Sequence, residues 1–164
     1  MEAERLIATG RHALAESRVA WDIVAEAWQA QALAQAIGSH LALCGPLELR
    51  SEARGLSETV GGRGAVDHPA LRAGGPRAAQ LTGVGDARVA LTALGALLGE
   101  VGIALVGVAC ATDDEGLYWQ CIEAIDAADE AGDRVRAMLR RLAVRDRDRP
   151  PDRTRGRAGP TAGR

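Results

Sequence analysis

The sequence predicts an all-α fold: a helical bundle of three long helices and one short helix, followed by a disordered C-terminal tail. Three long segments repeat apolar residues at intervals of three and four, which places those residues on one face of a helix. No stretch alternates apolar and polar residues as a half-buried strand would. With 164 residues, of which 47% are hydrophobic, the chain has the size and composition of one globular domain plus a tail. We expect the bundle to occupy residues 1–145.

The first long helix is predicted to run from residue 2 to residue 43. Its first half carries a large apolar residue every seven positions, which gives a single apolar seam on one helical face. These residues are Ile7, Leu14, Trp21 and Trp28. No charged residue occurs in the range 27–47, so the second half of the helix is expected to be more deeply buried than the first.

Glycine and proline mark the next boundaries along the chain. A bend is expected at Gly38-Ser39, and Gly45-Pro46 is expected to end the first helix. A short charged helix is predicted over residues 47–57. A glycine-rich crossover loop then occupies about residues 60–85, where Asp67 and Pro69 predict one helical turn.

The two remaining long helices have recognisable N-terminal signals. Asp86 is a favourable N-cap residue, and an unbroken apolar repeat then predicts a helix over residues 87–110. Thr112 and Glu115 have the T-x-x-E spacing of a capping box. They predict that Thr112 caps a final helix, which reaches about Arg145.

The C-terminal segment differs in composition from the rest of the chain. Residues 145–164 contain seven Arg and three Asp but almost no apolar residue. Such a segment cannot bury enough apolar surface to offset the entropy lost on ordering. Residues 146–164 are therefore expected to be disordered.

None of the residue patterns that predict an enzyme is present. A chain without lysine cannot form a nucleotide-binding P-loop, and neither G-x-S-x-G nor Glu-x-x-His occurs. His12 and Glu16 share a helical face, but two side chains do not make a metal site, and we expect a solvated pair. We therefore predict no catalytic residue, no metal ligand and no cofactor.

Cysteine usage and charge predict a cytoplasmic protein without a nucleic-acid partner. Cys44, Cys110 and Cys121 contain no C-x-x-C pair and are expected to be reduced, partly buried thiols. The first residues lack the pattern of a signal peptide. The net charge of −2 gives no strong field toward nucleic acid, and the Arg-rich tail lacks aromatic residues that would stack on bases.

The final helix divides its charges between its two halves. From Asp113 to Asp133 it carries eight acidic residues and no basic one, whereas the charged residues that follow are arginines. Four carboxylates on one stripe and four arginines form the candidate interaction face: Glu123, Asp126, Glu130, Asp133, Arg134, Arg136, Arg140 and Arg141. The division complements the helix macrodipole. It would also let two such helices pair antiparallel at a two-fold interface, which predicts a homodimer.

A candidate ligand-binding face lies in the first helix. Two indoles and two amides are predicted to share one side of that helix: Trp21, Trp28, Gln31 and Gln35. Such a set could line a small-molecule pocket, although tryptophans at this spacing are more often core residues. A ligand-binding regulatory bundle is therefore kept as an alternative.

Membrane association is a further alternative. Val89–Thr112 is long enough to span a bilayer, and Gly95 and Gly99 form a G-x-x-x-G pattern within it. Its single charge, Glu100, would cost about 2.5–3.5 kcal/mol near the centre of a membrane. A central helix of a water-soluble bundle is favoured because it carries no such cost.

Two sequence segments carry a family resemblance. They are AWQAQALAQAIGS at residues 27–39 and the segment 101–135, whose distinctive part is ACATDDEGLYWQC at residues 109–121. The chain resembles a family of small actinobacterial, Streptomyces-type helical proteins over most of residues 1–145. That family has no assigned function, so the resemblance implies no catalytic or binding residue.

Together these observations predict a cytoplasmic helical bundle that works through protein–protein contacts rather than catalysis. The expected partner is a second copy of the chain, or else another protein. The divided charges of the final helix and the long apolar repeats are the features on which this prediction depends.

Overall fold

The computed structural model describes residues 1–58 and 75–148, and this part of the chain forms a bundle of five α-helices. They are α1 (Ala3–Glu16), α2 (Ala20–Cys44), α3 (Arg50–Ser57), α4 (Ala87–Ala111) and α5 (Glu115–Asp148). Short 3-10 helices at Leu47–Leu49 and Arg77–Gln80 come before α3 and α4. Within the described ranges the only β-type pairing is an isolated bridge between Glu2 and Gly83. The predicted all-α fold is confirmed.

The core lies where α2, α4 and α5 meet, since each of these helices packs against the other two. α1 covers one side of α2 and α4, and α3 covers α2 and α5. Side chains such as Leu94, Leu105 and Met138 are completely buried there. Because the chain has no phenylalanine, small and branched aliphatic residues fill this space, together with the indole of Trp28.

The predicted single helix over residues 2–43 is wrong, because α1 and α2 are separate helices. The backbone is extended at Ser17 (φ −68°, ψ 121°) and at Val19 (φ −100°, ψ 138°). The Ser17 hydroxyl donates a hydrogen bond to the carbonyl oxygen of Ala13 at 2.9 Å, and the Ser17 amide donates to the same oxygen at 3.1 Å. Serine side chains compete in this way for backbone groups and help to end helices.

The predicted apolar repeat is buried at three of its four positions. Ile7, Leu14 and Trp28 are buried as predicted, but Trp21 is 48% exposed. Trp21 and Trp28 share one side of α2, but Trp21 lies in the first turn of the helix, where its side chain is at the surface.

α2 continues through Gly38 and Ser39, where a bend is predicted. Gly38 instead allows α3 to approach α2 closely. A Cβ atom at position 38 would lie 2.8 Å from the backbone nitrogen of Ser57 and 2.9 Å from the carbonyl oxygen of Ala53. Glycine is required here because α3 occupies the space of a side chain.

The start of α4 agrees with the prediction. The Asp86 carboxylate accepts hydrogen bonds from the backbone amides of Arg88 at 2.8 Å and Val89 at 3.0 Å. These bonds satisfy two of the amides that have no partner in the first turn of a helix. The prediction of Asp86 as the N-cap is confirmed.

The start of α5 differs from the predicted capping box. Asp114, rather than Thr112, caps the helix, because its carboxylate accepts from the Leu117 amide at 2.9 Å. The Thr112 hydroxyl instead accepts from the Asp114 amide at 3.1 Å, within the turn before the helix. Both residue types accept such bonds, and an acid at the N-cap also favours the helix macrodipole.

The loop and tail predictions lie mostly outside the described residues. The helical turn predicted after Asp67 and the tail residues 149–164 both fall there. The first three residues of the predicted tail, 146–148, belong to α5, which ends at Asp148 rather than at Arg145.

Two side chains of α2 anchor the segment that leads into α4. The Gln29 amide donates to the carbonyl oxygen of Gly75 at 3.0 Å and accepts from the backbone amide of Arg77 at 2.8 Å. One turn earlier, Glu26 forms an ion pair with the Arg77 side chain. The ion pair and both Gln29 bonds are partly buried, so these contacts fix where the chain returns to the bundle.

Gln29→Ala is therefore expected to lower the free energy of unfolding by about 1–2 kcal/mol, because it leaves two partly buried backbone groups without partners. Urea denaturation followed by circular dichroism would measure the loss. Gln80→Ala, at an exposed side chain, is the control and is expected to change stability by less than about 0.5 kcal/mol. Equal stability of both variants would show that Gln29 does not anchor this segment.

Candidate functional site

The side of α4 that faces solvent is free of charged residues along a continuous stripe. Seven exposed positions follow alternating intervals of three and four residues: Val89, Thr92, Ala96, Gly99, Ile103, Val106 and Cys110. We call these residues the α4 seam. The exposed fractions of Val89, Ile103 and Val106 are 53%, 78% and 49%. Apolar side chains in such a continuous exposed row are typical of surfaces that contact other molecules.

The opposite side of α4 forms part of the core. The predicted apolar repeat is buried at every position: Leu91, Leu94, Leu98, Val101, Leu105 and Val108. α4 thus has two apolar faces, of which the bundle covers one. By length and composition, it is also the one helix in the described ranges that could cross a membrane: its most apolar 18 residues have a mean hydropathy of 2.1, and 39% of them are buried.

A basic edge borders the α4 seam on the side of α1. Arg11 donates hydrogen bonds from its Nε atom to both carboxylate oxygens of Glu100 at 3.0 Å. The hydrogen bond and the charge of Glu100 raise the pKa of Arg11. Arg18 follows the C-terminal end of α1, where it lines a groove together with Gly107 and Val108 of α4.

An acidic edge borders the α4 seam on the side of α5. Asp129 is exposed there and lines a groove with Gly99, Gly102, Ile103 and Val106. Within residues 1–58 and 75–148, a Cβ atom at Gly99 or Gly102 would meet no atom within 4 Å, so no described side chain covers the backbone of α4 here. The seam therefore runs between a basic edge that carries Arg18, since Glu100 compensates the charge of Arg11, and an acidic edge that carries Asp129.

The two glycines of the G-x-x-x-G pattern have different surroundings. A Cβ atom at Gly95 would lie 3.4 Å from the Val135 side chain of α5, so Gly95 supports packing inside the bundle. Gly99 faces solvent within the α4 seam. The pattern does not join two helices of this chain through both glycines.

The acidic half of the predicted α5 face lies at the surface. Glu123, Asp126 and Asp133 are exposed, and Glu130 is half-buried. These carboxylates follow one stripe, as predicted.

Three of the four arginines in the basic half of the same face form ion pairs within the chain. Arg134 and Arg141 donate to Glu52 of α3 at 3.3 Å and 3.1 Å, and Arg136 pairs with Asp133. Arg140 is exposed and lines a groove with Glu52. Since two of the four arginines tie α5 to α3, fewer cations are available for the predicted antiparallel pairing of two α5 helices, which stays a prediction.

The Glu52 carboxylate is the centre of this contact between α3 and α5. Burial raises the pKa of Glu52, but the hydrogen bonds and charges of Arg141 and Arg134 lower it by more, so the pKa lies below its ordinary value. A carboxyl whose pKa is lower in the folded state stabilises the fold while it is ionised.

Glu52→Gln is expected to lower the free energy of unfolding by about 1 kcal/mol near neutral pH, a modest value because both arginines are nearly half exposed to screening solvent. The full difference in unfolding free energy between the two proteins should be present above about pH 4.3, the ordinary pKa of a glutamate. It should disappear as the pH falls through the lower pKa that Glu52 has in the folded protein. Urea denaturation of both proteins at a series of pH values measures this difference. Glu16→Gln, at an exposed residue, is the control, and a pH-independent difference for Glu52→Gln would contradict the assignment.

The candidate ligand face is not brought together as one surface. Trp28, Gln31 and Gln35 are 3%, 2% and 5% exposed, whereas Trp21 is largely at the surface. All four residues belong to α2, but Trp21 lies in its first turn, where the side chain is at the surface, whereas the other three lie further along the helix within the bundle. Three of the four residues are thus core residues.

A cleft with several polar side chains lies where the end of α2 meets the start of α4 and the end of α5. His40 and Cys44 line it together with Arg88 and Asp146. Arg88 and Asp146 neutralise each other through a 2.6 Å ion pair. Among residues 1–58 and 75–148, no group of three His, Cys, Asp or Glu side chains is arranged to hold a metal ion.

Sequence reasoning missed the α4 seam as a site. The available signal was the near absence of charge over Val89–Thr112, which extends around the helix and not only along the predicted core face. A helix buried on one side normally carries polar residues on the other. Uncharged residues on both faces were therefore the sequence signal that could have identified this exposed surface.

Comparison with known proteins supports the family resemblance. No match is found for this chain among curated proteins or among solved structures. A family model matches residues 1–141, which include the α4 seam and leave out the C-terminal tail. The chain therefore belongs to a family of unknown function, DUF6099.

Proposed function

We propose that this protein acts through protein–protein contacts, rather than catalysis, and that it self-associates through the α4 seam. The observation that carries this proposal is the row of seven exposed, uncharged residues at alternating intervals of three and four. This is the spacing with which two helices interlock side chains along a common seam.

The seam offers apolar area that a second helix would remove from water. Full burial of a side chain such as Ile103 or Val106 contributes about 1.5–3 kcal/mol, and both are largely exposed in the single chain. Ala96 and Gly99 lack bulk that would hold a second helix away. The predicted interface therefore combines apolar side chains with a close approach of the two backbones.

The charges beside the seam favour a second copy over a lipid surface. Arg18 and Asp129 lie along its two edges, and the ion pair of Arg11 with Glu100 lies between α1 and α4. Lipid would remove water from these charged groups at a high cost. A second copy supplies opposite charges, since its own edges carry both signs.

Size-exclusion chromatography with light scattering on the full chain, without detergent, tests the proposal. The protein is expected to have the mass of a dimer, and Ile103→Glu is expected to have the mass of a monomer with unchanged helix content. Val144→Glu is the matched control: Val144 is 53% exposed on α5 away from the seam, so this variant should remain a dimer.

Three results would contradict the proposal. One is a monomer at every protein concentration, and another is a dimer that Ile103→Glu leaves intact. The third is aggregation that only detergent relieves, which would assign the α4 seam to a membrane surface.

A further inference from the structure

We infer that the two copies of α4 lie parallel in the dimer, with the two-fold axis along the α4 seam, so that the α1 edge of each copy faces the α5 edge of its partner. This inference rests on the self-association proposed above and adds its geometry. The helix directions, the positions of the edge charges and two-fold symmetry carry the argument.

α1 runs in the same direction as α4 along the basic edge. A Cβ atom at Gly10 would lie 3.4 Å from the Leu97 side chain, Arg11 pairs with Glu100, and Arg18 lines a groove with Gly107. Residue numbers rise together along both helices. The two arginines are therefore beside the C-terminal half of the seam, where Ile103 and Val106 lie.

α5 runs in the opposite direction along the acidic edge. Val135 lies beside Gly95, and Asp129 lines a groove with Gly102. Asp129 is therefore at about the same height on α4 as Arg11, but on the other side of the seam. Each copy therefore has the cation Arg18 on the α1 side of the α4 seam and the anion Asp129 on the α5 side.

Two-fold symmetry allows two face-to-face arrangements of these seams. When the axis runs along α4, the two α4 helices are parallel, and the α1 edge of one copy lies opposite the α5 edge of the other. When the axis runs across α4, the helices are antiparallel, and each edge lies opposite its own copy. The first arrangement places the edge that carries Arg18 opposite the edge that carries Asp129, whereas in the second each edge lies opposite its own copy and Arg18 does not meet Asp129.

The parallel arrangement also fixes which seam residues meet. Every residue along the axis lies opposite itself, so Ala96 faces Ala96 and Cys110 faces Cys110. In the antiparallel arrangement a residue meets its own copy only where the axis crosses the seam. Residues near one end of the seam then approach those near the other, as Ala96 would approach the C-terminal half.

Disulfide cross-linking of the full chain separates these arrangements. One variant, Cys44→Ser, keeps Cys110 as its exposed thiol, and a second combines Ala96→Cys with Cys44→Ser and Cys110→Ser, while the buried Cys121 stays in both. Diamide is the oxidant and takes up two electrons and two protons for each pair of thiols that forms a disulfide. Cys110→Ser alone is the control, because its exposed Cys44 lies on α2 outside the seam.

Each of the two seam variants is expected to cross-link to itself at least about tenfold faster than the control, because the dimer raises the effective concentration of the facing thiols. An equimolar mixture should contain the 96–96 and 110–110 products, and mass spectrometry of the linked peptides would identify them. A 96–110 product without the two symmetric ones would overturn the parallel arrangement and leave the self-association intact. A monomer by light scattering would instead overturn the proposed function.

A charge exchange gives a second test that needs no new cysteine. Asp129→Arg and Arg18→Asp are each expected to weaken the dimer about fivefold, because each places like charges opposite one another in a parallel dimer. When the two variants are mixed, both edges of a parallel heterodimer again place opposite charges across the interface. Heterodimers should therefore form with at least the affinity of the original protein. Unchanged self-association of both variants, with no preference for heterodimers, would overturn the inference.

Discussion

Gly38→Val is expected to lower the free energy of unfolding by about 3 kcal/mol, the upper part of the usual range for an overfilled contact. The added side chain would begin 2.8 Å from a backbone nitrogen and 2.9 Å from a carbonyl oxygen of α3. Backbone atoms cannot rotate away as the end of a flexible side chain can, so α3 has to move as a whole. That movement would also disturb the ion pairs between Glu52 and α5.

Urea denaturation followed by circular dichroism measures this loss. Ser39→Ala is the control, because the neighbouring side chain is exposed and the change should alter stability by less than about 0.5 kcal/mol. A Gly38→Val protein as stable as the control would mean that α3 does not pack against α2 as described.

The Cys121 thiol is expected to react with a disulfide reagent at least about a hundredfold more slowly than Cys44 in the folded protein. Cys121 is completely buried, and burial raises its pKa, so the reactive thiolate is both scarce and inaccessible. Reaction requires local opening, and an opening cost of about 3 kcal/mol already gives this factor. Cys44 is exposed at the end of α2.

Thiol titration with a chromogenic disulfide, followed by identification of the labelled peptides, would measure these rates. The same titration in concentrated urea is the control, where all three thiols should react at similar rates.

Cys110 lies in the α4 seam, so its rate of reaction with the disulfide reagent should rise as the protein is diluted and the proposed dimer dissociates. Equal rates for Cys44 and Cys121 in the folded state would contradict the burial of Cys121.

The sequence predicts α4 and the fold class well because local signals determine them. Asp86 needs only the next turn of the helix to act as a cap, and the repeat from Leu91 to Val108 places six residues in the core through helical periodicity alone. Sequence patterns of this kind do not depend on distant contacts. They therefore remain valid whatever the arrangement of the other helices.

The sequence does not predict the break between α1 and α2, because no local signal marks it. The segment Ser17–Val19 contains neither glycine nor proline, and a mid-helix serine normally remains helical. The extended backbone at both ends of the segment separates α1 from α2, and α1 packs against both α2 and α4, contacts that a local pattern does not encode. The exposure of Trp21 was missed as well, because periodicity gives the side of a helix and not how far the neighbouring helices extend along it.

The candidate site depends on contacts between distant residues. The arginines at 134 and 141 are recognisable as a basic run, but only the fold shows that Glu52 binds both. In the same way, periodicity identifies the buried face of α4, while the exposed seam is visible only once the neighbours of α4 are known.

The close approach at Gly38 places a constraint on the evolution of related sequences. A relative with a larger residue at position 38 can keep α3 in place only if its contacts at Ala53 or Leu56 change in the same lineage. Loss of the carboxylate at position 52 should likewise relax selection on the arginine at 134 or 141. These positions are far apart in the chain, so their covariation across the family would record the packing of α3 without any structure being determined.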